Sequence, residues 1–230
     1  MKKSILLAAA TALLGFFGQA QTQTVEVGRT TFGVRAGINF QNINGEYENG
    51  DKIKNDLVTR FHLGVNAEIP VAPDFYFQPG LLFSTKGTKG SDQFLGQSLE
   101  GKLNLSYLEL PLNFLYKPVL GSGKLLVGFG PYVAYGIGGK LKLESGGQDE
   151  DVDVKFKNNV NSSDPDDRIY FKPFDAGANI LFGYEFSNKL SAQLNAQLGL
   201  VNINSKYEGA PDNDAKAKNT GFGVSLGYRF

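Results

Sequence analysis

The feature that most constrains this chain is a strict alternation of apolar and polar residues, repeated along its length. The last ten residues show it most clearly, because only glycine, serine and arginine separate their apolar residues, which are Phe222, Val224, Leu226, Tyr228 and Phe230. A period of two places successive side chains on opposite faces of a β-strand. The pattern therefore predicts strands with one apolar and one polar face.

Eight segments of about ten residues or more show this alternation. They span residues 31–40, 60–69, 75–84, 107–117, 125–138, 174–186, 190–201 and 221–230. Strands of soluble proteins usually have about 5–6 residues, whereas a tilted strand that crosses a bilayer needs about 9–11. Eight is also the smallest even number of strands that closes a membrane barrel. We therefore predict an all-β fold, an eight-stranded antiparallel up-and-down transmembrane β-barrel.

The connections between these segments alternate between short and long. The short ones are rich in proline, glycine, serine and asparagine, which form turns. The long polar ones are residues 41–59, 85–104, 140–171 and 203–219. Strict alternation puts every long loop at one end, as in outer-membrane barrels with periplasmic turns and extracellular loops. Both termini then face the periplasm.

Aromatic residues fall at the two ends of the predicted strands, and aliphatic residues and alanine fill the middle. The turn end carries Phe32, Phe75, Tyr116, Phe186 and Phe230, and the loop end carries Phe40, Phe61, Phe83, Tyr135, Phe174 and Phe222. Two such rings match the two interfaces of a membrane. The alternative, a soluble sandwich or lipocalin-like barrel, offers no reason for aromatic residues to gather in two rings.

The first twenty residues have the pattern of a secretory signal peptide. Two lysines precede an apolar run over 5–17, and small residues precede a cleavage point between Ala20 and Gln21. The run is shorter than the roughly 20 residues that a spanning helix needs, and it fits a signal peptide. We expect residues 1–20 to be removed and residues 21–230 to form one barrel domain.

Charge and composition narrow the classes of partner. Basic and acidic residues balance at 23 each, so no overall field favours a nucleic acid. The chain has no cysteine, so disulfides do not stabilise it. Its 29 glycines and 18 phenylalanines are typical of an all-β chain whose strands approach closely.

Several segments together resemble the PorT-like outer-membrane β-barrel proteins. They are TFGVRAGINF at 31–40, YLELPLNFLYKP at 107–118, GFGPYVAYGIGGK at 128–140, FDAGANILFGYEF at 174–186 and the terminal GFGVSLGYRF. The resemblance covers nearly all of the chain after Gln21 and implies a barrel in the outer membrane of a diderm bacterium. It also implies that the terminal segment is a signal for the barrel-assembly machinery. The family's named member, which is linked to protein secretion, makes secretion-machine subunits an alternative partner.

The polar face of the predicted strands would line the lumen, and it carries charges of both signs. An eight-stranded barrel is just wide enough for side chains to fill it, and buried charges must be paired. We therefore expect an internal network of ion pairs, although a narrow gated channel in which Glu109 or Glu68 exchanges arginine partners is the alternative. The expected members are Arg35, Arg60, His62, Glu68, Glu109, Lys117, Asp175, Glu185 and Arg229.

Catalytic and metal-binding patterns are weak. His62 is the only histidine, and no serine lies two residues away, so the His-x-Ser arrangement of lipid A deacylase barrels is missing. The acidic residues at 148–156 and 164–167 lack the spacing and central glycine of an EF-hand, which favours a solvated loop over a Ca²⁺ site. We predict no enzyme activity, no metal and no cofactor.

The sequence thus predicts a small integral outer-membrane barrel with a filled lumen and a structural or loop-mediated binding role at the cell surface. Its partners would be outer-membrane lipid, the barrel-assembly machinery, and an extracellular ligand or secretion-machine subunits at the long loops. A narrow pore or an accessory of a secretion machine is the first alternative. A lipid-modifying barrel enzyme is the second.

Overall fold

The computed structural model describes residues 28–46, 52–53, 55–94, 97–145, 148–209 and 216–230. Within these ranges all regular secondary structure is β, and no helix there is long and apolar enough to cross a membrane. The predicted signal peptide and its cleavage point between Ala20 and Gln21 lie outside the described residues, so they stay predictions.

Eight long strands form the wall of the barrel. We number them in chain order: β1 Thr31–Glu46, β2 Val58–Ala72, β3 Phe75–Phe94, β4 Gln97–Tyr116, β5 Gly123–Ser145, β6 Phe174–Glu185, β7 Leu190–Gly199 and β8 Lys216–Arg229.

These strands close into a ring. Each strand pairs antiparallel with the next one along the chain, from β1 to β8. The last strand, β8, pairs with β1, so that Phe222 lies opposite Phe40. Where the ring is closed, no strand edge is left unpaired, which is what a membrane requires. The prediction of an eight-stranded antiparallel up-and-down barrel is confirmed.

Six shorter strands lie at the two ends of the barrel. Val119–Leu120 pairs with β5 at the turn end, whereas the other five belong to the loop end. Lys52–Ile53 pairs antiparallel with the end of β1. Gln148–Phe156 pairs antiparallel with β5, and Ile169–Phe171 pairs with it in parallel. Asn159–Val160 and Lys206–Tyr207 form a separate parallel pair.

The structure differs from the sequence prediction at the loop end. Residues 85–104 and 140–171 were predicted to be long loops, but most of them are strand: the hairpin of β3 and β4 reaches Phe94 and Gln97, and β5 reaches Ser145. The alternation continues there with few apolar residues, of which Leu103 and Leu105 are buried. Because their outward neighbours are polar, these extensions do not have the apolar face of a membrane strand.

The alternation of faces is as the sequence predicts. Large apolar side chains point outward and are about half exposed or more, such as Phe32 at 63%, Ile180 at 63% and Leu226 at 70%. In a soluble protein so large an exposed apolar surface would be unfavourable, but in a barrel it is the surface that contacts lipid. The side chains between them point into the lumen.

One irregularity changes the faces of β5. Tyr107 of β4 lies opposite Gly136, and its neighbour Ser106 lies opposite Gly138, so Ile137 is the extra residue of a β-bulge. A bulge inserts one residue into one strand and therefore reverses the faces beyond it. As a result Leu141 and Leu143 share the inner face with Leu103, and the lysines between them point outward.

Candidate functional site: the barrel lumen

The lumen contains a buried ion cluster toward the loop end. Lys86 of β3 places its Nζ 3.0 Å from Glu109 Oε2 and 3.1 Å from Asp175 Oδ2. All three side chains are buried, at 4% exposure or less. The ammonium also lies 4.2 Å from the ring centroid of Tyr132, and the Asn219 amide donates to Asp175 at 2.9 Å. Lys86 thus lies between two carboxylates; the face of the Tyr132 ring helps to stabilise its ammonium group, and the Asn219 amide helps to stabilise the Asp175 carboxylate.

Lys86 is the centre of this cluster, and the sequence prediction missed it. The residue follows the predicted strand 75–84 and therefore fell within a predicted loop. The even numbering of Lys86 is the signal that could have found it. The even-numbered residues Gln78, Leu82 and Ser84 of the same strand face inward and are all buried, and Lys86 continues that series. A basic residue in phase with buried positions indicates a lumen cation.

A second ion cluster fills the turn end of the lumen. Lys117 places its Nζ 2.6 Å from Glu68 Oε2 and 2.9 Å from Glu185 Oε2. The other oxygen of Glu68 accepts hydrogen bonds from the guanidinium of Arg229 and from the Gln78 amide. Two cations and two carboxylates balance here, and four of the predicted lumen residues meet in this cluster.

Between the two clusters lies a chain of polar side chains around His62. The ring Nδ1 is 2.8 Å from Asn39 Oδ1, and Nε2 is 3.1 Å from the hydroxyl of Ser225. The Ser225 hydroxyl is also within 2.8 Å of Asn195 Oδ1. This Ser–His–Asn arrangement was not predicted, because Ser225 is 163 residues from His62 in the chain.

The geometry around His62 favours a structural role over catalysis. Ser225, His62 and Asn39 are each 4% exposed or less. The adjoining cavity has a volume of about 30 Å³ and is lined by Arg35 and Glu109 among others. A cavity of this size holds a water molecule or two, whereas a substrate needs a few hundred cubic ångströms.

Two predicted network residues have other surroundings. Arg35 lines the same small cavity, and its Nε is buried without a hydrogen-bond partner. The guanidinium of Arg60 donates to two backbone carbonyls, that of Leu103 at 2.6 Å and that of Thr59 at 3.1 Å. Among the described residues it forms no ion pair, and it lines an outer cleft with Lys102, Lys140 and Glu144.

The terminal strand has the geometry of a lipid-facing wall element. All five of its alternating apolar residues are exposed on the outside, from 41% for Tyr228 to 70% for Leu226. The backbone N–H of Phe230 donates to the Phe32 carbonyl at 2.9 Å, so the last residue takes part in barrel closure. These contacts are compatible with the predicted assembly signal, whose role in assembly stays a prediction.

The acidic segment beyond β5 is solvated. Among the described residues no group of three or more histidine, aspartate or glutamate side chains could hold a metal ion. Lys140 Nζ is 3.2 Å from Asp151, and Lys157 Nζ is 2.7 Å from Asp164 Oδ1. The ammonium of Lys157 and the backbone N–H of Asn161 hold the pKa of Asp164 below its usual range.

The fold and lumen define the class. A closed eight-stranded ring with an apolar outer surface and a charged interior is a transmembrane barrel of the outer-membrane type. The chain belongs to the family described as outer membrane protein beta-barrel domain, whose model matches residues 19–205. This family implies an outer-membrane location and contact with outer-membrane lipid. The narrower PorT-like membership stays a prediction.

The solved structures that match the chain are distant from it in sequence. The attachment invasion locus protein Ail of Yersinia pestis, in complex with the heparin analogue sucrose octasulfate, is 14% identical, with 88% of this chain and 100% of that chain covered and a TM-score of 0.39. Neisserial surface protein A is 11% identical, with the same coverage and a TM-score of 0.43. The Pseudomonas putida toluene transporter TodX is 12% identical, with 87% and 89% covered and a TM-score of 0.26. No curated protein sequence matches the chain.

Proposed function

We propose that this protein is a small, non-conducting outer-membrane barrel that acts through its loop end, as a structural element of the envelope or by binding a partner there. We call this end, where β3, β4 and β5 extend beyond the apolar belt, the long end. The observation that carries the proposal is the filling of the lumen. The turn end holds the Glu68 cluster, and the loop end holds the Lys86 cluster. An ion that crossed the barrel would have to break one of these buried sets of ion pairs.

Apolar residues above the Lys86 cluster add a further layer. Ile203 has no exposed surface and packs with Leu105, Tyr107 and Tyr132. Ile203 belongs to the segment that follows β7, whose N–H groups bond to carbonyls of β6 and β8. A dry apolar plug opposes the passage of ions because it offers them no hydration.

A narrow pore is the competing function, and conductance separates the two. We expect the purified barrel in planar bilayers to show negligible conductance, both as wild type and as Glu109→Ala, which removes one partner of Lys86. A large-pore porin in the same bilayers is the positive control for insertion. Discrete conductance steps that change with Glu109→Ala would favour the gated channel.

The long end is proposed to face outward, with both termini in the periplasm. The absence of native cysteine makes a labelling test clean. We expect Asp166→Cys, at an exposed position of the long end, to react with a membrane-impermeant maleimide on intact cells. Lys189→Cys, at an exposed turn of the other end, should react only after lysis. The reverse pattern would contradict the orientation.

We further propose that the protein is not an enzyme. The lumen serine and histidine are the strongest catalytic candidates among the described residues, but the adjoining space of about 30 Å³ is too small for a lipid chain. A mass spectrum of lipid A from cells with and without the protein tests the lipid-modifying alternative. We expect identical spectra.

A further inference from the structure

The extended strands of the long end align lysines on their outer surface. Lys89 of β3 lies directly opposite Lys102 of β4, and Lys102 lies directly opposite Lys142 of β5. Like charges directly opposite one another in a sheet repel and destabilise it. Three aligned lysines are therefore an arrangement that the fold alone does not favour.

The nearby carboxylates only partly compensate this row. Lys89 Nζ is 3.7 Å from Glu100, with both side chains more than 40% exposed. Among the residues that the structure describes, neither Lys102 nor Lys142 forms an ion pair. Lys142 lies opposite Asp151, but that carboxylate pairs with Lys140, so the ammonium groups of Lys102 and Lys142 stand side by side with no ion pair of their own among the described residues.

Two more cations lie between this row of lysines and the apolar belt of the barrel. Lys140 lies opposite Asn104 and is 3.2 Å from Asp151 through exposed side chains. Arg60 reaches the same outer cleft, where the Leu103 carbonyl orients its guanidinium and its Nε is buried without a partner. We call the surface formed by Arg60, Lys89, Lys102, Lys140 and Lys142 the lysine face.

The path of Arg60 to this surface depends on a local break in pairing. The regular pairing of β2 and β3 ends at His62 and Ser84. Beyond it Gly87 has a φ of 149°, and a Cβ on this residue would collide with the Leu103 carbonyl oxygen. Glycine therefore keeps open the space in which the Arg60 guanidinium meets that carbonyl.

The lysine face is continuous with the lipid-facing surface. The last complete outward apolar row toward the long end includes Phe83, Leu108 and Tyr135, which lie opposite one another, and the exposed side chain of the bulge residue Ile137 lies just beyond it. Lys102 is six residues beyond Leu108, which is about 20 Å along a strand and about 14 Å above the row at a tilt of about 45°. Long lysine side chains can reach back several ångströms toward the membrane surface.

The charges near this surface change along β4 and β5 with distance from the apolar belt. The cations occupy the rows nearer the apolar belt, and Glu100 and Glu144, which lie opposite each other, form the next row away from it. Asp151 and Asp153 flank the lysines on the strand Gln148–Phe156. Along β4 a group that approaches from the membrane therefore meets Lys102 before Glu100, whereas beside β5 Asp153 and Asp151 lie in the same rows as Lys140 and Lys142.

We propose that the lysine face binds the phosphate of a lipid headgroup in the leaflet at the long end. A phosphate group would neutralise the unpaired ammonium groups of Lys102 and Lys142, and the Arg60 guanidinium would supply directed donors. The outer cleft that these residues line has a volume of about 340 Å³, which accommodates a phosphorylated sugar, and its lining holds four cationic side chains and one carboxylate, that of Glu144. The inference goes beyond the proposed function and rests on it only for which leaflet supplies the lipid.

The test measures lipid binding to the folded barrel in detergent by native mass spectrometry. The probes are lipid A and its dephosphorylated form, with inorganic phosphate as a competitor. We expect wild type to bind lipid A in preference to the dephosphorylated form, and Lys102→Gln with Lys142→Gln to weaken lipid A binding by roughly tenfold or more. The matched control removes two exposed charges from the turn end, by Arg29→Gln with Lys189→Asn, and should leave binding unchanged.

Two results would overturn the inference: equal binding of the two lipids by wild type, or unchanged binding of lipid A by the double variant. Displacement of lipid A by inorganic phosphate supports a phosphate site. If wild type binds inorganic phosphate but shows no preference for the phosphorylated lipid, the phosphate that the site binds is not that of a lipid. Lipid binding in detergent depends neither on the orientation of the barrel in the membrane nor on whether its lumen conducts ions. A negative result in this experiment therefore leaves the proposed function intact. Conductance and cysteine labelling test that function separately.

Discussion

Lys86 and Asp175 are 89 residues apart in the chain, yet Lys86 Nζ lies 3.1 Å from Asp175 Oδ2 with neither side chain exposed. Lys86 is on β3 and Asp175 on β6, strands that are not neighbours in the ring. Their contact therefore spans the lumen and joins two parts of the wall that no backbone hydrogen bond connects. A buried pair of this kind has little net stabilising effect, but it is costly to break.

Lys86→Met should destabilise the barrel by about 3–5 kcal/mol, because it leaves two buried carboxylates without their cation. The measurement is urea unfolding of the barrel in lipid vesicles, followed by the loss of heat-modifiable migration on a gel. The control combines Lys86→Met with Glu109→Gln and Asp175→Asn, which removes all three charges and should restore most of the stability. If Lys86→Met alone were as stable as wild type, the cluster would not be buried in the folded barrel.

Gly87→Ala should destabilise the long end by about 1–3 kcal/mol, since alanine rarely adopts a φ of 149° and its Cβ would meet the Leu103 carbonyl. Gly90→Ala is the matched control three residues away, where a Cβ would lie 3.6 Å from Asn55 Oδ1 in ordinary contact. Hydrogen exchange of the β3–β4 hairpin measures both. Equal exchange in the two variants would argue against the constraint at Gly87.

Ser225 should not react with a serine-directed fluorophosphonate, although its hydroxyl is 3.1 Å from His62 Nε2. The reagent cannot enter a cavity of about 30 Å³ in a folded lumen. Labelling is measured by intact mass, with Ser225→Ala as the control for modification elsewhere. Stoichiometric labelling of wild type that Ser225→Ala abolishes would make the Ser–His–Asn arrangement a candidate catalytic site.

Deletion of Phe230 should lower the amount of protein in the outer membrane. The deletion removes an exposed aromatic side chain at the turn-end interface and the N–H that bonds to the Phe32 carbonyl. Quantitative immunoblotting of outer-membrane fractions measures the effect, and Phe230→Tyr, which keeps both features, is the control. Wild-type levels of the deletion variant would mean that the last residue has no part in assembly.

The sequence predicted the wall of the barrel well because that wall repeats one local rule. Residues such as Val224 and Ser225 alternate between lipid and lumen regardless of what lies across the barrel. The alternation of apolar and polar residues failed as a guide where the outward residues become polar. This happens at Lys86, whose strand continues into a polar hairpin. It also failed at Ile137, where a bulge that no residue pattern announces reverses the faces of β5.

The sequence by itself determined the number of membrane strands and, up to the bulge at Ile137, the face of most wall residues, because a period of two is a property of the backbone. Only the tertiary structure decided which lumen residues meet. Lys117 contacts Glu68 and Glu185, and Ser225 contacts His62, because closure of the barrel fixes the register of strands that are distant in the chain. The tertiary structure also decided that the Arg60 side chain lies at the outer surface and not in the lumen, because the pairing of β2 and β3 ends beside it.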